Sequence, residues 1–351
     1  MAVSDLRPDQ LRAAAERLPR VRLAHLPTPL EELPRFAARL GEGVRVFIKR
    51  DDCTGLVLGG NKARHNEFLL ADAIDQGCDS LVWGALVQSN NCRQTAAGCA
   101  KLGLECRLYL SKAHQSTEPQ GNLLIDYLVG AKVEFTDAAI GPELNGLIAS
   151  KAEELRREGQ KPYFWNPPRV VPRAVVSYAL CMAEIAEQAT ALGITPDALY
   201  VSSAGATGAG VALGRRLLGL PYPVRLICPM HWPWHIPTRM AEDANAAAEL
   251  LGVPHRLAPV DLDVDESFVA PGYGLPSEAG REAMHLLATT EAILLDHVYT
   301  AKALAALIAD VRAGKYLPGS SVLFLHTGGV PAIFAEPESV LPPTGQFAKF
   351  A

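Results

Sequence analysis

The sequence predicts an α/β protein built from two doubly wound open sheets with flanking helices, on three observations. Short apolar runs of four to eight residues alternate with longer helical stretches. Those runs are apolar at successive positions, the pattern of parallel strands covered on both faces. Polar or glycine-rich turns follow several of them, where open α/β sheets place their ligands.

In chain order, "RVFIKRDD" (45–52) reads as a strand and "NKARHNEFLLADAIDQG" (61–77) as a helix closed by Gly77. "DSLVWGAL" (79–86) is a strand, and "NNCRQTAAGCAKLG" (90–103) a helix closed by Gly103. The strand "ECRLYLS" (105–111), the helix "PQGNLLIDYLVG" (119–130) and the strand "AKVEFTD" (131–137) follow. Then come the strand "DALYVSSA" (197–204), a helix from "GAGVALGRRLLG" (208–219) and the strand "YPVRLICP" (222–229). A helix around "RMAEDANAAAELLG" (239–252) and the strand "SSVLFLHTGG" (320–329) complete the alternation. "NPPRVVPR" (166–173) breaks the composition and reads as a crossing between two units.

Composition narrows the function classes. The 351 residues are 49% hydrophobic and 20% charged, an ordinary globular mix. A net charge of −5 gives no electrostatic case for nucleic acid. No apolar run reaches the ~20 residues of a membrane span, and the charged start "MAVSDLRPDQLRAAAERLPR" reads as a helix, not a signal peptide. The seven cysteines are scattered and form no CxxC pair, so they read as reduced thiols of a cytoplasmic protein without a zinc site.

Four turns are candidate walls of one cleft: "GGNK" (59–62), "GALVQSNN" (84–91), "SSAGATGAG" (202–210) and "HTGG" (326–329). "SSAGATGAG" follows a strand and opens a helix, so its backbone N–H groups and the helix N-terminus form a phosphate cradle. It also reads as a plain packing turn. No Gly-Lys-Ser/Thr follows, and Gly205, Gly208 and Gly210 miss the dinucleotide spacing, which disfavours a kinase or a dehydrogenase. Lys62 reads either as a solvated charge in a turn or as an amine nucleophile. Near a phosphate cradle, a desolvated lysine suits a Schiff base with an aldehyde cofactor.

The strings "IKRDD", "GGNKARHNEFLLADAIDQGCD", "VQSNNCRQTAAGCAKLGL", "GYGLPSEAG", "LLDHVYTAKALAAL" and "VLFLHTGG" occur in that order. Together they resemble the pyridoxal-phosphate enzymes of the tryptophan-synthase-β fold type, in the group of D-cysteine desulfhydrase, L-cysteate sulfo-lyase and 1-aminocyclopropane-1-carboxylate (ACC) deaminase. The resemblance runs from about 20 to 335. It implies pyridoxal 5'-phosphate as cofactor, Lys62 as its Schiff-base lysine, and Asn90 on its phenolic oxygen. Ala204, Gly205, Ala206 and Thr207 would hold the phosphate, and Thr300 would face the pyridine nitrogen. Ser89 would sit beside the substrate carboxylate and α-carbon, with Tyr273 and Tyr299 as active-site tyrosines, able to carry protons if a cationic cofactor nearby lowers their pKa. The alternative for each tyrosine is a half-buried ring with its hydroxyl as a polar handle, and for Thr300 a helix cap. The resemblance also implies a homodimer, a small unit at 66–177, and a large unit joining 1–65 to 178–351.

Three departures bear on the substrate. Asn91 stands where the related enzymes have histidine or glutamine. "NPPRVVPR" replaces a glycine-rich crossing and brings Arg169 and Arg173 to a cleft edge, where they would meet an anionic group or remain solvated linker charges. "MHWPWHIPTR" (230–239) reads as a lid, core or dimer contact, with Trp232 a candidate substrate residue. Pro233 between His231 and His235 argues against a two-histidine metal face. Thr300, unlike the glutamate of ACC deaminases, is no anionic partner for the ring nitrogen, which favours β-elimination of a small amino acid to a 2-oxo acid and ammonia. ACC-type ring opening, racemisation, and a catalytically weak protein that binds cofactor or amino acid as a regulator stay open.

Overall fold

The computed structural model describes residues 5–41, 43–113 and 115–341. The first residues of the expected amino-terminal helix, and 342–351 of the expected large unit, lie outside the described residues. Strands and helices are numbered here in chain order.

The apolar runs form two sheets. The larger aligns β1 (Leu30–Glu32), β2 (Arg45–Arg50), β10 (Ser321–His326), β7 (Ala198–Ser202), β8 (Val224–Ile227) and β9 (Asp263–Asp265) in that order. The smaller aligns β5 (Lys132–Thr136), β4 (Glu105–Ser111), β3 (Ser80–Leu86) and β6 (Pro162–Phe164). Every pairing is parallel except β1 with β2. The helices are α1 (Pro8–Ala15), α2 (Pro34–Leu40), α3 (Lys62–Asp75), α4 (Asn90–Leu102), α5 (Gly121–Leu128) and α6 (Pro142–Arg157), then α7 (Pro167–Ala191), α8 (Ala206–Leu217), α9 (Ile236–Leu250), α10 (Glu278–Glu291), α11 (Thr300–Arg312) and α12 (Pro337–Val340).

Burial explains the continuous apolar runs. All of β10 and β7 is buried. Along β10, Leu323 and Leu325 enter a core shared with Phe68, Trp83 and Val201, while Val322 and Phe324 enter a second core with Phe36, Ile48 and Leu304. Alternate side chains thus face different cores, so both faces need apolar residues.

Residues 166–173 are mostly helical: from Pro167 they are the first turns of α7, a helix of 25 residues. Pro167 and Pro168 occupy the opening turn, where a missing N–H removes no intrahelical bond and the fixed φ suits the helix. Only Pro172 lies inside.

Four helices begin on residues the sequence singled out: α3 on Lys62, α4 on Asn90, α8 on Ala206 and α11 on Thr300. α4 and α8 follow the carboxyl ends of β3 and β7, and the turn 326–329 ends β10. The N-terminal, positive ends of these helices are therefore brought to the edge where strands stop.

Candidate active site

The turn before Lys62 is built from backbone that side chains rarely adopt. Leu56, Val57 and Leu58 all have positive φ, at 38°, 48° and 67°, a run that stores strain unless its surroundings hold it. The Arg93 guanidinium, buried on α4, holds it by donating to the carbonyls of Val57 and Gly59. Gly60 has φ 123°, and a Cβ there would lie 2.7 Å from the Gln94 amide. A Cβ on Gly328 would lie 2.6 Å from Gly60 Cα. The glycines of "GGNK" and "HTGG" therefore permit a contact that larger residues would block.

Hydrogen bonds join the four predicted wall pieces. The Ala63 N–H donates to Gln94 Oε1 at 2.7 Å, and Gln94 Nε2 donates to the Asn90 carbonyl at 3.2 Å. Asn61 N–H donates to the Thr327 carbonyl at 3.0 Å, and its Nδ2 donates to Thr207 Oγ1 at 2.9 Å. Lysine turn, α4 start, anion loop and β10 end thus share one network. Lys62 stands between Asn61 and Ala63 of this network, and burial pulls its amine down to about 8. Desolvation, with no compensating anion, favours the neutral, nucleophilic form.

The anion loop has the expected anatomy. Ser203 Oγ accepts from Gly205 N–H at 3.2 Å and Gly208 N–H at 2.9 Å. By helix geometry the N–H groups of Ala206 and Thr207 have no intrahelical acceptor and point out of the helix end. A Cβ on Gly205 would meet nothing within 4 Å, so the space before the loop is open. Ala204 and Gly205 lead into this end from β7. Thr207 Oγ1 also lies 3.2 Å from His65 Nε2. Burial, with the charges of Lys62 and Arg64, holds His65 well below its usual pKa, so that imidazole is neutral.

Ser89 caps α4: its Oγ accepts from Asn91 N–H at 3.2 Å and Cys92 N–H at 3.1 Å, leaving its own proton to donate. Asn90 Oδ1 is buried and has no partner among the described residues. The Asn90 carboxamide is thus not committed to another side chain. Asn91 Oδ1 accepts from Thr95 Oγ1 at 3.4 Å.

Tyr273 and Tyr299 share a short hydroxyl–hydroxyl hydrogen bond. Burial raises the pKa of both, well above 10 for Tyr299. In this structure both are neutral phenols, suited to giving a proton rather than taking one. Thr300 Oγ1 donates to Asp296 Oδ1 at 2.6 Å and accepts from Asp296 N–H at 2.9 Å. Asp296 also receives the N–H groups of Val298, Tyr299 and Thr300 at 2.9 Å each. Thr300 thus closes the α11 cap, and a buried carboxylate stands behind it. A Cβ on Gly329 would lie 2.7 Å from the Asp296 carboxyl carbon, which places this cap against the β10 turn.

Two predicted substrate residues lie elsewhere. Arg169 Nε and Nη2 donate to Asp72 at 2.7 and 2.8 Å, and Arg173 lies 3.1 Å from the same carboxylate. Asp72 is ten residues past Lys62 on α3, about 15 Å along the helix axis. Both arginines tie α7 to α3 and do not face the lysine. Trp232 stacks on Trp234, with ring centroids 4.5 Å apart. His231 pairs with Glu266, and His235 with Thr238. Among the described residues, no group of His, Cys, Asp and Glu could hold a metal ion, and no helix is long and apolar enough to cross a membrane. Asn61, His65, Gln94, Asp296 and Thr327 were not singled out beforehand. All lie in the quoted motif strings, but their roles depend on partners distant in sequence.

A buried lysine with a lowered pKa, on a turn hydrogen-bonded to two helix starts and a strand end of a two-sheet, largely parallel fold, is an arrangement that suits a phosphorylated aldehyde. The chain belongs to the pyridoxal-phosphate dependent enzyme family, whose model matches residues 21–328. Among curated relatives, D-cysteine desulfhydrase of Salmonella choleraesuis (strain SC-B67) is 37% identical over 324 residues, 91% of this chain and 96% of the relative. That of Salmonella newport (strain SL254) is 36% identical over 327 residues, 91% and 96% of the two chains. The crystal structure of an ACC deaminase homologue superposes with a TM-score of 0.85 at 33% identity, covering 94% of this chain and 98% of its own. The cofactor is pyridoxal 5'-phosphate, and the Asn90 amide N–H, a donor for its phenolic oxygen, and the open α8 end fit it.

Proposed function

We propose that this protein is a lyase that eliminates a β-substituent from a small amino acid, releasing a 2-oxo acid and ammonia. The observation that carries the reading is the convergence of the turn that bears Lys62, the start of α4 at Asn90 and the start of α8 at Thr207 in one hydrogen-bonded network. The relatives' activity agrees with it. When bound, the cofactor stabilises negative charge at the substrate α-carbon.

The residues divide the rest of the work. The N–H groups at Gly205 to Thr207, reached from Ala204, hold the phosphate. Asn90 turns its amide to the phenolic oxygen. Lys62 binds the aldehyde carbon and, once substrate displaces it, moves the α-proton. Ser89 directs its free proton to the substrate carboxylate, with Asn91 one residue on. Thr300, its own proton given to Asp296, offers the ring nitrogen only a lone pair. Tyr273, partnered by Tyr299, donates to the departing group. The small unit is 66–177 and the large unit 1–65 with 178–351, the cofactor lying between them. Homodimeric assembly and a cytoplasmic setting belong to the same reading.

The test is a panel of D- and L-cysteine, D- and L-cysteate, D- and L-serine, 2,3-diaminopropionate and ACC, scored for 2-oxo acid. Pyruvate from one β-substituted amino acid is expected and names the leaving group; from cysteine, hydrogen sulfide and ammonia appear in equal amount. 2-Oxobutyrate from ACC would replace elimination by ring opening. Silence across the panel by cofactor-loaded protein would sink the lyase reading.

A further inference from the structure

α11 carries a second lysine, Lys302, whose side chain is fully buried. A cation near a helix N-terminus opposes the macrodipole, and burying one is unfavourable unless it is well bonded. Its bonds go to backbone carbonyls: Val269 at 2.7 Å, Gly272 at 2.9 Å and Pro229 at 3.4 Å. Burial pulls its amine down to about 8, with Asp296 and Cys228 opposing the shift. Lys302 is therefore mostly charged at neutral pH.

Those carbonyls belong to two irregular segments. Val269 and Gly272 flank the approach to Tyr273, and Pro229 leads into the tryptophan segment. Between 266 and 276 the chain's own backbone bonds are long: Val269 N–H to Glu266 at 3.3 Å and Leu275 N–H to Gly272 at 3.4 Å. Both lie at the weak end of the hydrogen-bond range. On its own helix, Lys302 stands one turn from Tyr299 and donates its N–H to the Tyr299 carbonyl at 3.1 Å. One side chain therefore fixes the loop of one tyrosine against the helix start of the other.

We infer that Lys302 is a positioning residue, which holds the Tyr273 loop so that the Tyr273 and Tyr299 hydroxyls meet. A methionine of similar length would fill the space but bind no carbonyl. The inference rests on the reading of Tyr273 as a proton donor.

The experiment compares Lys302→Met, Tyr273→Phe and the double variant as cofactor-loaded enzymes, with turnover, the visible absorbance of the Lys62-bound cofactor, and amide hydrogen exchange as readouts. Lys302→Met should keep the absorbance and lose turnover by about 10- to 100-fold, the scale of a misplaced catalytic group. Amides of 266–276 should exchange faster, while those of β10 do not change. In the Tyr273→Phe background, the same substitution should cost little more, because its target is already gone. An equal further loss in that background, or unchanged exchange at 266–276, would overturn the inference. Full turnover by Tyr273→Phe alone would instead remove the donor reading, with exchange still deciding the tie. If Lys302→Met does not fold, Lys302→Gln, whose shorter amide reaches fewer of the carbonyls, should fold with a smaller loss of turnover and a smaller rise in exchange at 266–276, and no change in either would overturn the inference.

Discussion

Lys62 concentrates the chemistry in one amine, and its environment sets when that amine reacts. Burial lowers its pKa to about 8, so the neutral fraction rises by about tenfold per pH unit below that value and levels above it. The rate at which apoprotein captures the cofactor, followed by the growth of visible absorbance, should trace that curve. A rate still climbing at the same slope to pH 10 would mean that the lysine is solvated. Lys62→Ala should abolish both the absorbance of the linked cofactor and turnover, since the substitution leaves no amine on this turn. Thr207 makes a second residue-scale case. Its hydroxyl joins the lysine turn to the anion loop through Asn61. Removing one hydrogen bond next to a charged group is worth ~1.5–3 kcal/mol. Thr207→Val should therefore weaken cofactor binding by about 10- to 100-fold in equilibrium dialysis. Unchanged binding would show that the hydroxyl serves only the network.

At the scale of elements, the tie between α3 and α7 separates stability from substrate recognition. Asp72, almost fully buried, receives Arg169, Arg173 and the Tyr163 hydroxyl, the last at 2.8 Å. Asp72→Ala leaves these donors without their acceptor and should destabilise the protein by ~1–3 kcal/mol, read as a fall in denaturant midpoint. Arg169→Ala should leave KM unchanged for any substrate, because its guanidinium is spent on Asp72. A KM that rises several-fold would restore Arg169 to the cleft. The same element shows what the sequence could and could not reveal. β7 and β10 were legible because burial on both faces demands uninterrupted apolar residues. The starts of α3 and α4 were legible because polar or glycine-rich turns precede them. α7 was not, since prolines that open a helix look the same in sequence as prolines that break one. Arg169 meets Asp72 across 97 positions of sequence, and no local pattern encodes that. Lys302 failed for a related reason: in sequence it is one more charge in a helix, and only packing shows it buried.

Across the whole molecule, cofactor binding and folding are linked, because the network around Lys62 draws residues from helices next to both sheets. A ligand that binds only the folded chain stabilises it by about 4 kcal/mol at a thousand times its dissociation constant. Asn90 should separate the two states. In the apoprotein its Oδ1 is buried and makes no hydrogen bond, so Asn90→Ala removes an unsatisfied group and should leave the apo melting temperature unchanged or slightly raised. In the loaded protein the same substitution removes a bond to the phenolic oxygen, and the gap between apo and loaded melting temperatures should narrow. Calorimetry of the four samples measures both signs together. If Asn90→Ala lowered the two states by the same amount, the carboxamide would be part of the fold and would not contact the cofactor.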